Sequence, residues 1–146
     1  MITIRKSVKK EVTQNIPMFL DNALTWMKNK YPDINFSYID YIFSGASCRS
    51  RYFRNNESLN AKYLFPCVCI CTREQLYLYS KPSLGMKKTS IWTGAQIQIE
   101  CALIHELTHH VQYELNTRKG NETDTTANEL TYLKEFYPED YKEITQ

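Results

Sequence analysis

Apolar residues recur three and four apart within residues 8–30, at Ile16, Phe19, Leu20, Ala23, Leu24 and Met27. That spacing lays them along one stripe of a helix, with Pro17 acceptable in the first turn and Pro32 closing the element. Ile34 to Phe43 alternates loosely and predicts a strand, ended by Ser44-Gly45. Residues 49–60, RSRYFRNNESLN, are polar and basic and read as a strand end with a loop. Tyr63 to Thr72, YLFPCVCICT, is apolar at successive positions, as in a strand covered on both faces. Beyond the polar Arg73-Glu74-Gln75, Leu76 to Tyr79 predicts a returning strand. Lys81 to Gly94, with Pro82, Gly85 and Gly94, predicts a connecting loop.

The helical period returns from Ala95 to about Asn116 and breaks at residues 117–121, where Gly120 serves as a helix stop. A last helix is expected from about Glu122 to Tyr137, ended by Pro138. Helix, several strands and two further helices make a single α+β domain over residues 1–146, with a small mixed or antiparallel sheet.

Composition narrows the function classes only a little. The chain has 146 residues, 42% hydrophobic and 23% charged, as in ordinary globular proteins. Its net charge of +2 is too weak to argue for nucleic acid or a membrane as partner. No apolar run approaches bilayer length, and no apolar stretch follows the basic MITIRKSVKKEV as a secretory leader requires. The five cysteines are odd in number, and Cys67, Cys69 and Cys71 are spaced poorly for disulfides. Together these predict reduced thiols and a soluble, cytoplasmic chain.

Residues 105–112, HELTHHVQ, carry the chemistry. On a helical wheel Leu103, Ile104, Leu107 and Val111 share the core face. His105 and His109 share the opposite face with Gln112 and the small Cys101 and Ala102. Two imidazoles one turn apart on a face the core does not claim can converge on one metal ion. Glu106 points to the flank, where a base could serve a metal-activated water. His110 turns toward the core, as a packing residue or a support for the ligands.

A catalytic zinc site takes three protein ligands and leaves one position open. The chain has only three His, so the third ligand should be a carboxylate from the last helix: Glu122, Asp124 or Glu129. If the two helices fold back at Gly120, His109 and Glu129 lie at matching depth, about 10 Å from the bend at 1.5 Å per residue. Glu129 also borders the Ala127, Leu130, Leu133, Tyr137 stripe, which favours it.

HELTH, then nineteen residues of which the last is Asn128, then Glu129, resembles the active-site segment of the gluzincin metallopeptidases, of both thermolysin-like and aminopeptidase-N-like branches. The resemblance covers residues 105–138 and implies a zincin-like domain and one zinc ion. It also implies His105, His109 and Glu129 as ligands, Glu106 as general base, and a peptide or protein substrate. Two features depart from the pattern. Leu133 stands where the thermolysin-like branch has an Asp, and no Gly-Ala-Met-Glu-Asn segment is present. A further pattern of small zincins, an acidic residue three before Ala-Asn, selects Asp124 as an alternative ligand.

Tyr132, almost one turn after Glu129, is a candidate donor to a developing oxyanion, set against an ordinary core tyrosine. Cys67, Cys69 and Cys71, with Cys48 or Cys101, form a conceivable thiolate site, but the spacing favours burial. Arg49, Arg51 and Arg54, with Tyr52 and Phe53, resemble a small nucleic-acid patch. They carry the rival expectation, a non-catalytic zinc-containing binding protein. The intact Glu106 argues for the peptidase.

Overall fold

In a computed structural model, residues 1–46, 50, 67–72, 91–115 and 122–145 are described. The elements in chain order are β1 (Ile2–Ile4), α1 (Lys10–Thr13), α2 (Ile16–Lys30), β2 (Asp40–Ser44), β3 (Cys67–Cys71), α3 (Ile91–Glu114), α4 (Glu122–Phe136) and α5 (Pro138–Thr145). The predicted strand at Leu76–Tyr79, the break at 117–121 and the arginines of the 49–54 patch lie outside the described residues.

The strands form one sheet in the order β1-β2-β3, and both pairings are parallel, with Ile2 opposite Tyr41 and Asp40 opposite Cys67. This corrects the expected mixed or antiparallel sheet for the described strands. Residue periodicity reports which faces are buried, not which way a neighbouring strand runs. Parallel neighbours need a crossover, and α2 supplies it between β1 and β2. The mixed helix-and-sheet class holds.

The amphipathic stretch before Pro32 divides at Gln14–Asn15 into α1 and α2. Asn15 N–H turns back to Val12 O at 3.0 Å, and Pro17 sits in the first turn of α2, where its missing N–H is not needed. The expected stripe is the one buried: Ile16, Phe19, Leu20, Ala23 and Met27 lie in the core. They meet Phe43 of β2, Val68 and Ile70 of β3, and Leu103, Ile104, Leu107 and Val111 of α3. Each large aliphatic or aromatic side chain removed from water contributes about 1.5–3 kcal/mol.

Helix α3 begins at Ile91, so the last four residues of the predicted 81–94 loop are helical. Pro138 ends α4 as expected but also opens α5, an ordinary place for a proline. Cys67, Val68, Cys69 and Ile70 are all buried, as a strand covered on both faces requires. Cys67 and Cys101 are free thiols, whereas Cys69 is disulfide-bonded. The expectation of uniformly reduced cysteines is corrected at Cys69, and cysteine usage no longer argues for a reducing compartment. Among the described residues, no helix is long and apolar enough to cross a membrane.

Candidate metal centre

Helix α3 is pinned by its apolar face: Leu103, Ile104 and Leu107 are fully buried and Val111 nearly so. That fixes the opposite face, which carries His105 and His109 one turn apart with ring centroids 4.9 Å apart, edge to face. Both imidazoles keep partial access to solvent.

Across from them stands Glu122, in the first turn of α4, where a carboxylate is favoured by the helix dipole. Its Oε2 lies 3.2 Å from His105 Nε2 and its Oε1 lies 3.0 Å from His109 Nε2. One ligand atom from each of the three residues falls within 4.8 Å of the others, a group that can hold a metal ion. Thr125 Oγ1, fully buried one turn on, lies 3.1 Å from Glu122 Oε2 and 2.8 Å from Glu122 O, steadying the carboxylate.

The other ring nitrogens are engaged as well. His105 Nδ1 is 3.3 Å from Glu129 Oε1, and His109 Nδ1 is 3.0 Å from Gln112 Oε1. Each imidazole therefore turns Nε2 toward the common point while an oxygen acceptor faces its Nδ1. With the proton on Nδ1, the Nε2 lone pair is free for a metal.

The carboxylates differ from expectation in their division of labour. Glu122 and Glu129 are seven residues apart, two turns of one helix, so both face α3. Helix depth matched Glu129 to His109, whereas Glu129 stands one turn earlier along α3, beside His105. Depth could not say which ring nitrogen the carboxylate would reach, and Glu129 reaches Nδ1 of His105. Glu122, the first of the three candidate carboxylates, is the one that faces the two Nε2 atoms. Asp124 is not in the group that could hold a metal.

Asn128, next to Glu129, is buried and crosses to α3. Its Nδ2 donates to Thr108 Oγ1 at 2.9 Å and to Tyr31 Oη at 3.0 Å, and its Oδ1 accepts from Lys30 Nζ. Thr108 in turn donates to Ile104 O at 2.7 Å. Glu106 follows His105, is partly buried, and lies close enough for its charge to bear on His105.

Tyr132 lies elsewhere. It is 1% exposed, and its hydroxyl donates to Glu100 Oε1 at 2.6 Å. Tyr137 donates to the same oxygen at 2.7 Å, and Asn22 and Gln96 donate to Oε2 at 2.9 and 3.0 Å. A buried tyrosine committed to a carboxylate is a core residue, which corrects its candidacy as an oxyanion donor. Glu100 itself was missed by the sequence reading, although its place three residues from both Ile97 and Leu103 put it on the core stripe. Neither Cys67 nor Cys101 joins a metal-holding group of three among the described residues.

The electrostatics follow from these contacts. His105 is raised above the ordinary histidine value, chiefly by its hydrogen bond to Glu129. Burial opposes the shift, and the charges of Glu129, Glu106 and Glu122 add to it. His110 is lowered by burial, although its hydrogen bond to Asn35 O at 3.0 Å favours the proton. It packs among Phe36, Tyr38 and Tyr113, as its core-facing position predicted.

Comparison of the chain with family models, with curated proteins and with solved structures yields no match.

Proposed function

We propose that this chain is a zinc-dependent peptidase in which His105, His109 and Glu122 hold the ion. The observation that carries the reading is that two imidazoles of one helix and a carboxylate of the next bring one ligand atom each within 4.8 Å of the others, with both Nε2 atoms facing Glu122. Imidazole nitrogen and carboxylate oxygen are donors that zinc takes. Each Nε2 stands against an oxygen of the Glu122 carboxylate, at 3.2 Å from Oε2 for His105 and 3.0 Å from Oε1 for His109, so the three side chains face one another at the spacing of a small ion's ligands. Three protein ligands leave room for a fourth, as in catalytic rather than structural zinc sites. The gluzincin-like HELTH segment supports the same reading.

When bound, zinc supplies Lewis-acid polarisation and an acidified water. The chain's own part is proton handling and positioning. Glu106, adjacent to His105 but outside the ligand group, takes a proton from the attacking water and delivers it to the departing amine nitrogen. The carboxylate needs no second base, because the proton removed in the first step is the one the leaving group requires. The partial exposure of both imidazoles leaves a peptide a path to the centre.

Glu106→Gln tests the assignment. Losing a positioned general base costs about 10²–10⁴-fold in rate, so hydrolysis of an unstructured protein substrate should fall by that factor while zinc content stays unchanged. A Gln variant that cleaves at the parental rate would remove Glu106 from the mechanism.

A further inference from the structure

We infer that Glu129 is a positioning residue: it orients His105 through Nδ1 so that Nε2 faces the metal, and it does not ligate the ion. The inference rests on the metal-centre reading above and deepens it. Three observations carry it.

The first is the choice of ring nitrogen. Glu129 Oε1 stands 3.3 Å from His105 Nδ1, whereas Glu122 faces Nε2 of His105 and of His109, and Glu129 is not in the group of three that could hold a metal. The two nitrogens of an imidazole point away from each other, so an oxygen seated at Nδ1 is on the far side of the ring from an ion at Nε2. Metal-bound histidines commonly donate the second ring N–H to a carboxylate or carbonyl, which fixes the tautomer and strengthens the ligand.

The second is the parallel at His109. Gln112 Oε1 occupies the equivalent place at 3.0 Å from Nδ1. Both histidines therefore have an oxygen acceptor behind them, from α4 in one case and from the next turn of α3 in the other.

The third is the fixing of Glu129's backbone. Asn128 is buried and tied to Thr108, Tyr31 and Lys30, which sets α4 against α3 and against the end of α2. A side chain beside such a key is held at one depth, opposite His105. The Asn128-Glu129 pair thus divides into a residue that sets helix register and a residue that aims a ligand.

The experiment is a zinc affinity series by chelator competition on the full chain, wild type beside Glu129→Gln, Glu129→Ala and Glu122→Ala, with far-UV circular dichroism of each. The amide oxygen of Gln can still accept from Nδ1–H but is a poor substitute for an anionic ligand. Glu129→Gln should therefore stay within a few-fold of wild type, and Glu129→Ala should weaken zinc binding about 10–100-fold. Glu122→Ala should weaken it much further. Histidine ¹⁵N resonances of the zinc-loaded wild type should show a protonated Nδ1 at His105.

Loss of zinc by Glu129→Gln as complete as that of Glu122→Ala would overturn the inference and make Glu129 the ligand, leaving the metal centre standing. Zinc on Nδ1 of His105 would overturn it equally. Failure of the wild type to take up zinc would instead remove the metal reading, and this inference with it. Because Gln is nearly isosteric with Glu, the decision does not depend on whether the Ala variant folds.

Discussion

Asn128 on α4 donates to Thr108 on α3 across 2.9 Å, one residue from Glu129 on one helix and one residue from His109 on the other. This buried contact sets the register between the helices that carry the candidate ligands. Asn128→Ala would strip Tyr31, Lys30 and Thr108 of their shared partner. Leaving buried polar groups unpaired costs about 1–3 kcal/mol, so the denaturant midpoint should fall accordingly. Zinc affinity should fall with it, because Glu129 would lose its fixed depth. A variant as stable as wild type would show that the contact does not hold the helices.

Tyr132→Phe separates a core role from a chemical one. The substitution removes one of four donors to the fully buried Glu100. Weakening that shell should lower stability by about 1–3 kcal/mol while zinc content and hydrolysis per folded molecule stay at wild-type levels. Collapse of hydrolysis with unchanged stability would restore Tyr132 to the reaction.

Gly45 offers a second structural test, at a residue outside the group that could hold a metal. Its N–H donates to Ser7 Oγ at 2.8 Å, and a Cβ added there would stand 2.2 Å from the Ser7 carbonyl oxygen. Backbone cannot yield as a flexible side chain can. Gly45→Ala should destabilise the chain by about 1–3 kcal/mol, the usual cost of overpacking, measured by chemical denaturation, with no change in zinc stoichiometry.

The raised His105 sets the sign of two pH effects. In the metal-free chain its pairing with Glu129 contributes stability that is fully present below the ordinary histidine value and is lost as pH rises through the raised folded value. Zinc competes with the proton on this ring, so its binding runs the other way. Affinity rises with pH across the same window, and uptake within it releases protons. Titration calorimetry in buffers of different ionisation enthalpy should show that release, and Glu129→Gln should shrink it. Proton uptake on zinc binding would contradict the sign.

Much of this is legible in the residues themselves. The 3.6-residue period of α2 and α3 named the buried stripes, because a helix that packs on one side must repeat at that spacing. The same period placed His105 and His109 together on the free face. Strand β1 was not legible, since three largely exposed residues carry no pattern, and strand direction was invisible because both directions bury the same faces. The third carboxylate was half legible. Helix depth brought Glu129 level with His109, but which histidine and which ring nitrogen it meets depend on how α4 emerges from the bend, which spacing does not encode. Tyr132 is the ordinary core tyrosine that stood beside its candidacy as a donor, but its partner Glu100, 32 positions away in the chain, was not legible.

The most direct measurement is zinc content after equilibrium dialysis, by elemental analysis, of the wild type beside Glu122→Ala and the His105→Ala/His109→Ala double variant. One zinc per wild-type chain is expected, lost in both variants while helical content is retained. A wild type that takes up no zinc, or a double variant that keeps it undiminished, would contradict the claim that these residues form a metal centre.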